Sequence, residues 1–228
     1  MTYRYFIQPQ VDAINDSVIG YELLLRQKQS GQWLTPTATT GIAVDDEARL
    51  IEQAAQQLQL KVGSLSFNVN EHQFLDRSMA QAIIQAQRAI YPINLVLEVT
   101  EEPTAHPVTE RQLSEQIHYF DDHGIQLSLD DVGTGLNTYE HLEPLLSAVS
   151  ELKFPLQNFR EAHRETEIQP ALHFWLKIAQ QYRLRFILEG VETKTDHDLA
   201  NQLGIPNRQG WYYGKPHPLP EDLLRNQR

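Results

Sequence analysis

The sequence predicts a (β/α)8 TIM-like barrel with one antiparallel strand near the N-terminus, on three observations. Short apolar or β-branched runs alternate with helix-period segments along the chain. Eight such runs read as strands, from Phe6 to Val11, Val18 to Leu25, Leu65 to Val69, Leu95 to Val99, Gln126 to Leu129, Val149 to Lys153, Arg185 to Leu188 and Gln209 to Tyr212. The first two meet across an Asn15-Asp16 turn with no helix between them. Repeated strand–helix units imply a parallel sheet covered by helices, and eight strands suit closure better than an open sheet. The opening hairpin turns one strand against the rest. The 228 residues fit one barrel of roughly 200–250 residues, so a single domain over 1–228 is expected.

The intervening segments carry helical stripes. Leu50, Ala54 and Leu58 share a face, as do Leu113, Ile117 and Phe120. The second stripe follows a capping box, Thr109-Glu110-Arg111-Gln112, and stops at Gly124. Leu172, Trp175, Leu176 and Ala179 form a third. Thr195 is the expected cap of a helix over 196–203 that ends at Gly204. These stripes read as core packing. The polar stretch 28–40, with Gly31 and Pro36, reads as an insertion at a barrel end.

Composition narrows the chemistry. Hydrophobic residues make up 41% and charged residues 21%, the proportions of an ordinary globular chain. No apolar run approaches the ~20 residues of a membrane span, and no apolar signal core follows Arg4. A cytoplasmic protein that does not enter a membrane is therefore expected. With no cysteine, disulfides, thiolate metal sites and thiol catalysis are excluded. A net charge of −11 disfavours a DNA or RNA polymer, which needs clustered Lys and Arg. A small phosphodiester differs, because clustered carboxylates can bind divalent cations that hold it.

The carboxylates recur at one relative place. Glu22, Asn68, Glu98, Asp130, Asp131, Lys153 and Glu189 each lie near the end of a strand candidate, and Gln209 stands at the start of the last one. In a barrel, strand C-termini converge on one face, where active sites lie. A lone buried carboxylate costs several kcal/mol. Five of them with an amide and a lysine in the same relative place point instead to an oxygen-ligand site for Mg²⁺ or Mn²⁺. The adjacent Asp130 and Asp131 could bridge two ions, as two-metal phosphodiester hydrolysis requires. The nine histidines show no metal spacing. Trp33, Trp175 and Tyr182 read as packing, and Thr134 as a loop hydrogen-bonder.

At these residues the chain resembles the EAL domain family of cyclic-di-GMP phosphodiesterases. The resemblance runs from Gln8-Pro9 to Gly214-Lys215-Pro216. It rests on six motifs in order: Glu22-Leu23-Leu24-Leu25-Arg26, Phe67-Asn68-Val69-Asn70, Glu98-Val99-Thr100-Glu101, Asp130-Asp131-Val132-Gly133-Thr134-Gly135, Glu189 to Thr193, and Gln209-Gly210-Trp211. The resemblance implies that Glu22, Asn68, Glu98 and Asp130 hold one cation, and that Asp130, Asp131 and Glu189 hold or hydrate a second. It places Lys153 against the attacking water or phosphate and Gln209 in the metal-water network. Gln8, Arg26 and Asp131 fall on the substrate side. Thr100 and Glu101 tether the Gly133-Thr134-Gly135 loop, and Glu192 supports Glu189. The implied reaction is metal-dependent hydrolysis of cyclic-di-GMP to linear 5′-pGpG, and the implied assembly is a homodimer.

Four departures stand against that pattern. Leu23 replaces the naming Ala, and Val132 replaces a Phe. Leu136-Asn137-Thr138 replaces Tyr-Ser-Ser. Lys153-Phe154-Pro155 replaces Lys-Ile-Asp, with Ser150 where an Asp is usual. The loss of a carboxylate to Pro155 keeps an alternative open, a catalytically silent module that binds cyclic-di-GMP and signals to a partner.

Overall fold

A computed structural model describes residues 2–36, 42–58, 62–100 and 109–219, excepting the side chains of Thr100 and Glu110. The chain opens with β1 (Tyr3–Asp12) and β2 (Ser17–Gln29), a long antiparallel ribbon with a register shift between Gln10 and Val11. β3 (Gln32–Leu34) folds back onto β2. There follow α1 (Val44–Leu58), β4 (Ser64–Asn70), α2 (Glu71–Leu75), α3 (Arg77–Ile90) and β5 (Asn94–Thr100). Next come α4 (Glu110–Asp121), β6 (Gln126–Leu129), α5 (Tyr139–Leu142), β7 (Glu151–Pro155), α6 (Leu156–Glu161) and α7 (Ile168–Tyr182). The chain continues through β8 (Arg185–Glu189), α8 (Lys194–Gln202), β9 (Asn207–Gln209) and β10 (His217–Pro218).

Among the described residues, eight strands close the barrel in the order β1, β9, β8, β7, β6, β5, β4, β2 and back to β1. β1 runs antiparallel to both β2 and β9, and the other six pairings are parallel. The C-terminal ends of seven strands therefore share one mouth. No described helix is long and apolar enough to cross a membrane.

Strand alternation divides the side chains between two environments. Leu65, Phe67, Leu95, Leu97, Leu127, Leu152, Phe154 and Leu188 pack outward with the helix residues Ile51, Ile83, Phe120 and Leu172. That layer is the main apolar core. The alternate positions point inward and are largely polar: Gln10 donates to Ser66 Oγ at 3.2 Å, and Glu151 pairs with Arg185. Val96 and Ile187 are buried inside the barrel, apart from that core. The barrel thus holds its polar residues in its own interior and buries its apolar area against the helices.

The structure moves several predicted boundaries. β7 starts at Glu151, two residues after Val149, and runs on through Pro155. β9 ends at Gln209, where the sequence reading has a strand begin. Gly210 explains the stop: at φ +152° its place for a Cβ lies 2.2 Å from Val191 O, so the chain turns away through Tyr213 N to Gly210 O. Thr193, not Thr195, caps α8, because a reciprocal capping box joins it to Asp196. The front of the 28–40 stretch is the end of β2 together with β3, and residues 37–40 lie outside the described residues. The Thr109–Gln112 capping box forms as expected.

One buried acid outside the mouth holds α1 to the barrel. Tyr5 OH donates to Glu47 Oε1 at 3.3 Å, and Gln73 Nε2 to Glu47 Oε2 at 3.4 Å. Burial, only partly offset by the Tyr5 hydrogen bond, raises the Glu47 pKa from 4.5 to about 7. The native state then keeps a proton that the unfolded chain releases, so this contribution to stability is full below pH 4.5 and is lost as pH rises through about 7. Denaturant unfolding of wild type and Glu47→Gln between pH 4 and 8 should show the variant gaining on wild type as pH rises, by roughly 2–4 kcal/mol. Parallel curves would show that Glu47 titrates as an ordinary carboxylate.

Candidate functional site

The site is organised around a buried lysine. Lys153, on β7, is completely buried, and its Nζ lies 2.7 Å from Glu189 Oε1 and 2.8 Å from Glu98 Oε1. Glu22 Oε2 and Asp130 Oδ1 stand at 3.9 Å. Four strands thus deliver a carboxylate to one ammonium. Glu22 is fixed from two further sides: Asn68 Nδ2 donates to its Oε1 at 3.0 Å, and Gln209 Nε2 donates to its Oε2. Gln209 Nε2 also reaches Gln8 Oε1 at 3.4 Å, and Gln8 Nε2 donates to Gly214 O. The register produces these meetings, since Gln8 faces Glu22, Gln10 faces Gln209, and Asn68 sits beside Glu98.

Asp130, Asp131 and Glu189 form a second grouping, with carboxylate oxygens all within 4.8 Å of one another. The loop after β6 holds it. Asp131 adopts φ +52°, a left-handed conformation uncommon for a residue with a side chain. Its amide donates to Asp130 Oδ1 at 2.9 Å. Val132 N bonds Lys153 O, and Gly133 N bonds Asn137 O. Asn137 Nδ2 donates to Asp130 O at 2.9 Å, so one of the departures from the family motif ties the loop. Across the mouth, Asp196 Oδ2 accepts from the amides of Glu192 and Thr193. Arg160 bridges Asp196 Oδ1 and Gly190 O. These bonds fix the loop that follows Glu189.

The charges do not balance. Burial, partly countered by Lys153, raises the Glu98 pKa well above the carboxylate range. Burial and then Asp130 do the same to Glu189. Asp131 is raised to about 6, by burial first and Asp130 second. Burial pulls Lys153 down, but Asp130, Glu189, Glu22 and Glu98 outweigh it and the ammonium keeps its proton. One ammonium cannot neutralise five carboxylates, and the buried Glu98 and Glu189 favour their protonated forms. Both Glu98 oxygens are inaccessible; Oε1 meets the Lys153 ammonium, and Oε2 has no hydrogen-bond partner. An all-oxygen donor set with unmet lone pairs fits a hard divalent cation.

Above this floor opens a cavity of ≈ 410 Å³. Gln8, Glu22, Asp130, Asp131, Glu189 and Gln209 line its base, and Gln157, Asn158, Glu161, Glu192 and Trp211 its walls. Trp211 is half-exposed and carries Lys215 Nζ 4.5 Å from its ring centroid. Arg26 lies elsewhere, on a neighbouring cavity of ≈ 190 Å³ that Asn68 and Glu47 also line. Its guanidinium donates to Leu25 O at 2.9 Å and sits 5.8 Å from the Phe6 ring centroid. The two cavities meet at the Asn68–Glu22 hydrogen bond.

The structure brings Gln8, Glu22, Asn68, Glu98, Asp130, Asp131, Lys153, Glu189 and Gln209 to one mouth. Thr134 donates to Asp131 O at 2.8 Å, within the Gly133 to Gly135 loop. Glu192 is exposed on the cavity wall. Thr100 ends β5, and Glu101 lies outside the described residues. Sequence reasoning missed Gln157, Asn158 and Glu161, and the Arg160–Asp196 pair. A signal was present for two of them: Gln157 and Asn158 lie two and three residues past the end of the Lys153 strand, at the strand–helix junction where barrel sites are built.

The barrel with carboxylates and a buried lysine at its C-terminal mouth defines a candidate metal-dependent hydrolase site. The chain belongs to the EAL domain family, which it matches over residues 2–216. It is 28% identical over 237 residues to the bifunctional diguanylate cyclase/cyclic di-GMP phosphodiesterase MucR of Pseudomonas aeruginosa, covering 95% of this chain and 33% of that protein. It is 27% identical over 232 residues to the probable cyclic di-GMP phosphodiesterase PdeB of Escherichia coli, covering 96% of this chain and 43% of the relative. The chain thus spans less than half of either. Its fold superposes on the solved structure of the PaMucR phosphodiesterase in complex with c-di-GMP with a TM-score of 0.78, at 25% identity over 97% of this chain and 94% of that one.

Removing Lys153 should leave Glu98 and Glu189 buried together without their cation. In chelator, Lys153→Met is expected to lose roughly 3–5 kcal/mol of unfolding free energy, the scale of breaking a buried ion pair. Added divalent cation should restore part of the loss. Equal stability of variant and wild type in chelator would show that Lys153 does not balance the buried charge.

Proposed function

We propose that this domain hydrolyses cyclic-di-GMP to linear 5′-pGpG with Mg²⁺ or Mn²⁺ bound at the mouth. The observation that carries the reading is the convergence of Lys153, Glu22, Glu98 and Asp130 with the Asp130–Asp131–Glu189 grouping at one barrel mouth, in a chain of the EAL domain family. The curated names of the relatives support the substrate.

In this reading Glu22, Asn68, Glu98 and Asp130 would hold one cation, and Asp130, Asp131 and Glu189 a second. Bound divalent cations supply an acidified water and offset the phosphate's negative charge. The chain's own groups do the rest. Gln209 and Asn68 orient the Glu22 carboxylate, and Lys153 holds Glu98 and Glu189 in place and presents a fixed positive charge beneath the reacting phosphate. Water oxygen bonds to phosphorus, the bond from phosphorus to the ribose 3′ oxygen breaks, and that oxygen leaves with a proton. The outcome is one new 5′ phosphate and one free 3′ hydroxyl. Arg26, on the adjoining cavity, is placed for a second part of the dinucleotide. The same reading puts the domain in the cytoplasm, and the family resemblance makes a homodimer the expected assembly.

Pro155 favours one competing reading, a silent receptor. It is buried, ends β7 and pairs in register with Glu189, so the carboxylate usual at that position is missing beside a proposed ligand. None of the proposed ligands is lost with it, which supports turnover. Purified protein incubated with cyclic-di-GMP and Mg²⁺ or Mn²⁺ should release pGpG. Chelator or Glu22→Ala should abolish release with the fold retained, Lys153→Ala should lower the rate ~10²-fold or more, and Pro155→Asp should match or exceed wild type. Tight binding without product by wild type, together with turnover by Pro155→Asp, would establish the receptor instead.

A further inference from the structure

Asp131 needs an outside hold, because its φ of +52° leaves its side-chain direction dependent on what the loop is tied to. Two residues meet it. Thr134 Oγ1 donates to Asp131 O at 2.8 Å, and Asn158 Nδ2 donates to Thr134 Oγ1 at 3.3 Å. The Asn158 amide also faces the Asp131 carboxylate and favours its charged form. The single Thr134 proton goes to the Asp131 carbonyl, and an Asn158 amide proton goes to the Thr134 hydroxyl. The Asp131 backbone is therefore tied through Thr134 to the Asn158 side chain, which stands beside the Asp131 carboxylate on the cavity wall.

That side chain comes from a rigid place. Asn158 stands on α6, which starts directly after Pro155 at the end of the Lys153 strand. Leu156 and Phe159, on either side of Asn158, are buried, and Phe159 stacks on Phe154 with ring centroids 5.0 Å apart. Val132 N to Lys153 O is the other tie between this loop and β7. It fixes the backbone one residue past Asp131. Asn158 lines the cavity wall beside Asp131.

We propose that Asn158 is the positioning residue of this site, fixing Asp131 and thereby setting the affinity of the cation at the Asp130–Asp131–Glu189 grouping. It acts through Asp131 and touches neither the scissile phosphate nor the attacking water. The inference rests on the metal reading above. It gives α6 a role in the site that no strand-end residue has.

The test measures cation binding directly. Wild type, Asn158→Leu, Asn158→Ser and Asp131→Asn are titrated with Mn²⁺ by calorimetry, and each is melted in chelator. Asn158→Leu keeps the volume and removes both donors, and Asn158→Ser guards against a folding defect from the apolar group. Both should weaken the Asp131-dependent Mn²⁺ site by about 10–100-fold, the usual cost of losing a group that orients a ligand. Their melting in chelator should stay within a few degrees of wild type. Their turnover should fall at low Mn²⁺ and recover at high Mn²⁺, a split that a merely structural role would not give. Wild-type Mn²⁺ affinity in both Asn158 variants overturns the proposal. A wild-type isotherm that Asp131→Asn leaves unchanged overturns the metal reading itself, and this proposal with it.

Discussion

Everything at the mouth depends on one buried ammonium. An uncompensated charge in the interior costs several kcal/mol, and Lys153 is completely enclosed. It is tolerable only because carboxylates approach it from four other strands. The reverse holds too, since Glu98 is equally enclosed and its ion contact is Lys153. Neither can be placed without the other, so the closure of the barrel and the assembly of the site are one event. The all-parallel arrangement of β2 and β4 through β9 delivers those carboxylates to one height. The antiparallel β1 supplies Gln8 from the opposite chain direction.

The charge excess makes the Pro155 departure intelligible. A carboxylate there would add negative charge beside Glu189, whose ionisation burial and Asp130 already disfavour. Proline removes it and leaves no polar atom to satisfy. The lost N–H matters little at a strand end, and proline at the last position of β7 lets α6 begin at once. The Asn137 departure works in the same sense. In place of a hydroxyl it puts an amide, whose Nδ2 donates to Asp130 O.

The barrel and the floor of the site were legible in the sequence because both follow from alternation. An inward residue at a strand's end is fixed by strand period and direction, and Glu98, Lys153 and Glu189 obey that rule, whereas Glu22 lies in the middle of β2, which runs on past the mouth to Gln29. The failures share one cause: local signals that tertiary contacts overrule. Gln209 reads as a strand start because the aromatics Trp211 to Tyr213 look like strand residues, yet the closeness of Gly210 to the Val191 backbone ends β9 before them. Thr195 is a sound cap in isolation, but Asp196 reciprocates with Thr193 and also accepts the Glu192 amide. Asn158 carries no strand-period signal at all, since its role arises from a helix start that meets a loop 24 residues earlier in the chain.

The acidity of the mouth also sets an order on the proposed reaction. A cyclic dinucleotide with two phosphodiesters is a dianion, and the bare floor presents five carboxylates against one lysine. Where water is displaced, like charges at such range repel strongly, and Lys215 lies over Trp211 on the cavity wall. In the proposed reaction the substrate would therefore bind after cations had displaced the protons that burial favours on Glu98 and Glu189. The chain's net charge of −11 works with this order. It would draw divalent cations toward the mouth, and it keeps long polyanions away from a site whose completely buried lysine they cannot reach.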